Sequence, residues 1–149
     1  MKLSIIIPCF NEENTIKEII EKINDRVKID KEIIVVDDFS LDKTRSLLQN
    51  ELKDKVYKVV LNDKNYGKGY SIKQGLKVSN GEIVIIQDAD LEYDPIDYNR
   101  LIKPINSGVA DVVYGSRFVG SEERRVLLYW HSIGNKILTM LSNIFTNLN

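Results

Sequence analysis

With 149 residues, 43% of them hydrophobic, the chain is long enough for one domain with a buried core. Its 21 Lys and Arg against 22 Asp and Glu leave a net charge of -1, which excludes the broad basic field of a nucleic-acid binder and confines phosphate binding to a local site. The single cysteine, Cys9, excludes a disulfide framework or a Cys-based zinc site and suits a cytoplasmic protein, and no apolar run approaches the roughly 20 residues that cross a bilayer.

The first apolar run, LSIII at 3–7, stops at Pro8, too soon for a signal peptide, and its β-branched content predicts a strand buried on both faces. Ile16, Ile19, Ile20 and Ile23 then recur at helical spacing. EIIVV at 32–36 predicts a second strand, Leu47, Leu48 and Leu52 the apolar face of a second helix, and YKVVL at 57–61 a third strand. Ile72, Leu76 and Val78 mark the apolar face of a third helix that Asn80-Gly81 ends, and EIVII at 82–86 predicts a fourth strand. Asp94 is read as the cap of a fourth helix with Pro95 in its first turn, closed by Pro104 and Gly108. DVVYG at 111–115 predicts a fifth strand, and residues 126–146 a long amphipathic helix carrying Val126, Leu127, Trp130, Ile133 and Ile137. Repeated strand and helix without internal repeats or linkers predicts one α/β domain over residues 1–149. It is a Rossmann-like, mainly parallel sheet with helices on both faces, a three-layer α/β/α sandwich.

In such sheets ligands bind beyond the carboxyl ends of the strands. Those ends are acidic here: PCFNEE (8–13), DDFS (37–40) and QDAD (87–90) bring Glu12, Asp37, Asp38, Asp88 and Asp90 to one edge. Carboxylates gathered in one crevice repel unless a cation or donors balance them, and a divalent metal is the economical explanation. Asp88 and Asp90, two residues apart at a strand end, suit a Mg²⁺ or Mn²⁺ ion that fills its other positions with water and phosphate. On its own such a DxD is weak evidence, since acidic turns are common. Glu92 reads either as a third ligand, directly or through water, or as a solvated loop residue, and Asp94 as a cap. Asp37 and Asp38 either lead into the second helix, with Ser40 or Asp42 as its cap, or accept hydrogens from a nucleobase. In NYGKGYSIKQG (65–75), glycines 67 and 69 around Lys68 at a helix start suit a phosphate, and an ordinary glycine-rich turn suits the residues as well. GxGxxG after the first strand and GxxxxGK[ST] are both absent, which removes a Rossmann dinucleotide site and a P-loop. Cys9 has no neighbouring histidine to activate it.

Taken in order, IIIPCFNEE, EIIVVDDFSLDKT, NYGKGYSIKQG, GEIVIIQDADLEYDP and DVVYGSRF resemble the family 2 glycosyltransferases of the GT-A fold. The resemblance is strongest to the branch holding dolichyl-phosphate mannose synthase and polyprenyl-phosphate glycosyltransferases. It implies an inverting transferase using Mg²⁺ or Mn²⁺ and a nucleotide diphosphate donor of the UDP-glucose or GDP-mannose type. Position by position, it implies a nucleotide pocket of Pro8, Phe10, Asn11 and Glu12 and base and ribose contacts from Asp37 and Asp38, beside the Lys68 read above as a phosphate contact. It also implies a metal and diphosphate clamp of Asp88, Ala89 and Asp90, with Glu92 where the mannose synthases tend to have a glutamine ligand.

A sugar hydroxyl acceptor needs a catalytic base, and related enzymes using one usually carry a Glu-Asp pair where this chain has GSRFVGSEERR (115–125). A lipid phosphate needs cations instead, and Arg117, Arg124 and Arg125 are available, with His131 a weaker fourth; Asp88, Asp90 and Arg117 are the expected catalytic residues. The favoured acceptor is therefore polyprenyl or dolichyl phosphate at the cytoplasmic membrane face, with transfer to a sugar hydroxyl as the alternative. The late helix either lies at that surface or packs on the sheet, and an exposed side offers a face for a second copy. The family's chains normally continue past TNLN, so this sequence is expected to be a truncated, donor-binding part of a longer enzyme, weak or inactive in transfer. The rivals are a non-catalytic nucleotide-sugar binder, a signalling receiver, whose acidic pair belongs on the first strand, and a nucleotidyltransferase, which opens on a GxGTR-like loop.

Overall fold

A computed structural model describes residues 1–115 of the chain. Four of the apolar runs form strands: β1 (Leu3–Cys9), β2 (Lys31–Asp37), β3 (Lys58–Leu61) and β4 (Ile83–Ile86). Between them lie α1 (Ile16–Arg26), α2 (Thr44–Asn50) and α3 (Lys68–Val78); a 3₁₀ turn, Pro95–Asp97, leads into α4 (Tyr98–Asn106). Every strand pairing is parallel, in the order β3-β2-β1-β4. The chain steps outward from β1 through β2 to β3 and then crosses to pair β4 with the other side of β1. Winding reverses between β1 and β4, and that point opens a crevice beyond the strand ends.

Alternation along the strands divides the apolar side chains between two layers. Ile5 and Ile7 of β1 and Ile33 and Val35 of β2 pack with Ile16, Ile19, Ile20 and Ile23 of α1, Leu48 of α2, and Tyr98 and Ile102 of α4. Ile6, Ile34 and Val36 face the other way, toward Val60 and Val78, under α3. Helices thus cover both faces, as the strand and helix alternation predicts.

Three details differ from the sequence expectation. On α3 the buried positions are Ser71 and Gly75, whereas Leu76 is 46% exposed and Ile72 half-buried. The helix lies so close to β1 that a Cβ on Gly75 would stand 2.5 Å from Ile6 Cγ2, so small residues four apart make the contact and larger apolar ones turn outward. Pro104 lies inside α4 and does not close it. Gly108, at φ +70°, does end the helix: its N–H bonds Ile105 O and that of Val109 bonds Pro104 O, a Schellman closure. Residues 111–115 form no strand: Val112 is 65% exposed, and β4 pairs only with β1 among the described residues. An apolar run becomes a strand only when a neighbour takes its backbone groups.

At the amino ends of the strands sits one buried charge. Glu32 Oε1 accepts from Ser4 Oγ (2.6 Å) and Asn80 N (2.5 Å), and Lys2 Nζ lies 2.6 Å from Oε2. Burial alone would raise this carboxyl's pKa, but Lys2, Ser4 and the Asn80 amide outweigh it and hold it at about 2. A pKa depressed from the usual carboxylate range stabilises the fold above about pH 4.5, and that stabilisation fades as pH falls toward 2. Glu32→Gln is expected to cost roughly 2 kcal/mol at pH 7. Urea titrations of both proteins between pH 7 and pH 2 are expected to show the gap closing as acid is added.

Candidate functional site

A cleft of about 230 Å³ opens at the β1/β4 switch, lined by Pro8, Cys9, Phe10, Glu12, Asp38, Lys68, Ser71, Asp88, Ala89 and Asp90. Three strand ends and the start of α3 therefore meet there. Of the residues expected at a nucleotide site, Asn11, Asp37 and Glu92 do not line it, for separate reasons.

Asp37 is fully buried at the end of β2, where Arg45 Nε donates to Oδ2 (2.7 Å) and Ser40 N lies 3.3 Å from both oxygens. The same Arg45 donates through Nη2 to Asn62 O. A carboxylate so enclosed is a support beneath the cleft, not a free acceptor for a base. Asp38, buried but lining the cleft, accepts Asn62 Nδ2 (2.7 Å) and Tyr66 N (3.0 Å) on Oδ1 and Gly67 N (2.7 Å) on Oδ2. Burial pushes its pKa up, but the Tyr66, Asn62 and Gly67 donors outweigh it, and the net direction is down. Asp38 thereby fastens β2, β3 and the entry to α3, where Gly67 takes φ +90°.

The loop after β1 is laced to the loop after β2. Asn11 N donates to Ser40 Oγ (2.9 Å), Glu12 N to Thr44 Oγ1 (2.8 Å) and Glu13 N to Asp42 Oδ2 (3.1 Å). In return Leu41 N donates to Asn11 Oδ1 (2.8 Å) and Lys43 N to Glu13 Oε2 (2.8 Å). The Asn11 side chain is thus committed to the loop, and its φ of +56° is one that asparagine tolerates. Asp42 Oδ1 also accepts Thr44 N (2.9 Å), the first amide of α2, but the N-cap position itself is Lys43, so neither Ser40 nor Asp42 is the cap. Phe10 is left exposed at the mouth, and the Glu12 carboxylate accepts Thr15 Oγ1 (2.5 Å).

After β4, the buried Gln87 shapes the acidic turn. Its Nε2 donates to Asp88 O (3.0 Å) and Tyr93 O (3.2 Å), and Tyr98 Oη donates to its Oε1 (2.7 Å). Leu91, at φ +63°, reverses the chain, and Glu92 N donates to Asp90 Oδ1 (3.0 Å). Asp94 accepts Ile96 N (3.0 Å) as the expected cap and pairs with Arg26 (2.5 Å). Asp88 faces Lys68 Nζ at 2.5 Å, and Asp90 is exposed at the mouth. Among the described residues no three His, Cys, Asp or Glu side chains converge on one point. Of the four carboxylates lining the cleft, Asp88 and Asp90 match the one or two that Mg²⁺ or Mn²⁺ takes from protein when phosphate and water complete its shell, so the donor set fits a shared ion and not a protein cage. Arg117, Arg124, Arg125, His131 and the helix expected at 126–146 lie outside the described residues.

Sequence reasoning passed over Arg45, Asn62 and Gln87. Each acts by its position beneath another residue, and nothing in a linear pattern marks that.

Residues 4–145 match the family model described as glycosyl transferase family 2. The chain belongs to that family. Among similar curated proteins, this family 2 chain is 34% identical over 120 residues to a dolichol-phosphate mannosyltransferase of Pyrococcus furiosus, covering 80% of this chain and 34% of that protein. It is 33% identical over 122 residues to an undecaprenyl-phosphate 4-deoxy-4-formamido-L-arabinose transferase of Pseudomonas fluorescens, covering 77% and 36% respectively. The chain thus spans about a third of the length of these relatives. Among solved structures, a mannosyltransferase from Pyrobaculum calidifontis in complex with GDP-Man and Mn²⁺ superposes with a TM-score of 0.57 at 29% identity, over 64% of this chain and 29% of that one. The architecture is the GT-A fold of these glycosyltransferases.

Asp38→Asn keeps the shape but places an NH₂ group where an oxygen accepted amides. The variant is expected to lose about 2 kcal/mol of stability. Hydrogen exchange at the Tyr66 and Gly67 amides is expected to accelerate more than exchange in β1.

Proposed function

We propose that this chain carries the donor site of a metal-dependent, inverting glycosyltransferase. The enzyme would move a sugar from a nucleotide diphosphate of the UDP-glucose or GDP-mannose type to a polyprenyl or dolichyl phosphate at the cytoplasmic membrane face. The observation that carries the reading is the cleft in which Asp88, Ala89 and Asp90 meet Lys68, Glu12 and Phe10 at the switch point of the sheet. The relatives' names support the lipid-phosphate acceptor, and the Mn²⁺ and GDP-Man of the structural neighbour support the donor chemistry.

In this reading Pro8, Phe10 and Glu12 form one wall for the nucleoside and Asp38 the floor beneath it. Asp88 and Asp90 hold the ion, and Glu92 is close enough in sequence to reach it through water. Bound there, the Mg²⁺ or Mn²⁺ ion offsets the negative charge that grows on the leaving diphosphate. Lys68 supplies a further positive charge on the same side of the cleft. The acceptor phosphate is already an anion, so the chain needs to orient it and not deprotonate it; Arg117, Arg124, Arg125 and His131 are the proposed cations.

Calorimetry of UDP-glucose and GDP-mannose, each with and without Mn²⁺, tests the reading. The wild type is expected to bind one of them only when Mn²⁺ is present. Asp90→Asn retains an acceptor for Glu92 N and is expected to abolish metal-dependent binding. Asp94→Ala is expected to cost about 1 kcal/mol of stability as a lost cap and to leave binding intact. Absence of binding to either donor by the wild type with Mn²⁺ would overturn the proposal.

A further inference from the structure

Lys68 and Asp88 form the shortest cation contact in the cleft, with Nζ 2.5 Å from Oδ1. Both belong to the site described above, where they pair with each other. Resting on the reading of Asp88 and Asp90 as a metal and diphosphate site, we propose that Lys68 is an exchangeable counter-cation that makes the site refuse a lone divalent ion and accept one together with a diphosphate.

The geometry separates a fixed base from a movable charge. Lys68 is the first residue of α3, and the preceding Gly67 N is held by Asp38 Oδ2 at 2.7 Å, so the backbone from which the lysine springs is anchored. Its side chain is 58% exposed, and an ammonium on a four-carbon stem swings freely. Asp88, only 28% exposed, sits deeper. A divalent ion on Asp88 must displace the ammonium from Oδ1 or lie beside it, and two like charges about 4 Å apart repel even in water. A diphosphate changes this balance. It brings anionic oxygens that ligate the ion and give the displaced ammonium a new partner, so the exchange conserves charge pairing on both sides. Ion and diphosphate are then coupled, each raising the site's affinity for the other by the same factor. The ion is admitted with the molecule that uses it.

Electron paramagnetic resonance titration of Mn²⁺ against the 149-residue chain, alone and with saturating UDP or GDP, reads this coupling directly. A nucleotide-only titration supplies the correction for Mn²⁺ chelated in solution. Wild type is expected to bind Mn²⁺ weakly alone and much more tightly with the diphosphate. Lys68→Met is expected to bind lone Mn²⁺ roughly tenfold tighter than wild type, the scale of removing one positive charge beside a divalent ion, and to show a smaller diphosphate effect. Lys68→Arg, which keeps the charge, is expected to stay close to wild type for lone Mn²⁺. A Lys68→Met protein that binds lone Mn²⁺ no tighter than wild type, while both take up Mn²⁺ with the diphosphate, overturns the exchange and leaves the metal site standing. Failure of both proteins to bind Mn²⁺ under any condition overturns the metal site, and the exchange with it.

Discussion

The carboxylate of Asp38 is the constraint from which the rest of the cleft follows. Leaving a strand end and burying a charge beside apolar side chains is costly unless donors surround it. Here three donors come from two places: the Asn62 side chain just beyond β3, and the Tyr66 and Gly67 amides that open α3. One group therefore sets the distance between the second strand, the third strand and the third helix. The start of α3 in turn decides where Lys68 stands, and Lys68 stands over Asp88 from the other side of the switch point. The link from a buried acid to an exchangeable cation runs through two peptide amides.

An edge this rich in acids stays folded because most of them are already satisfied. Asp37 has Arg45, Asp42 has the amides of Glu13 and Thr44, and Glu13 has the Lys43 amide. These bonds also stiffen the edge, since the loops after β1 and β2 exchange donors in both directions. Left-handed backbone occurs once in each of the three loops at the edge, at Asn11, Phe39 and Leu91. A non-glycine residue there costs about 1–2 kcal/mol and persists only where the surroundings hold it. What remains for a ligand is the pair at the mouth: Asp88, balanced by one lysine, and Asp90, which accepts a single loop amide.

The parts that were legible in the sequence are those written in one-dimensional periods. Four strands stand where continuous β-branched runs predict them; the inner pair, β1 and β2, is buried on both faces, whereas β3 and β4 leave Leu61, Val84 and Ile86 exposed. The acidic strand ends are brought to one edge because parallel strands share one direction. What the linear pattern misplaced depends on neighbours. DVVYG has a strand's composition but no partner among the described residues, and α3 turns Leu76 outward because Gly75 allows Ile6 to approach. Asn11 and Asp37 carry residue types that suit a nucleotide, yet Asn11 Oδ1 is taken by the Leu41 amide and Asp37 by Arg45. Gln87 has no signal of its own. Its importance comes from lying between Tyr98 and the backbone carbonyls of the acidic turn, a meeting that only the folded chain produces.

The two ends of the sheet put the same chemistry to opposite uses. At the amino ends, Glu32 is buried with Ser4, Asn80 and Lys2 around it, and its pKa is driven to about 2, so at neutral pH its charge serves stability alone. At the carboxyl ends, Asp88 is partly open and faces one exposed ammonium. Glu32 is buried among Ser4, the Asn80 amide and Lys2, which leaves no open side from which a new cation could approach. A carboxylate balanced by a single flexible lysine can trade that partner for another. The difference lies in how many of its partners can leave, and Asp88, paired with one exposed lysine, stands in the cleft.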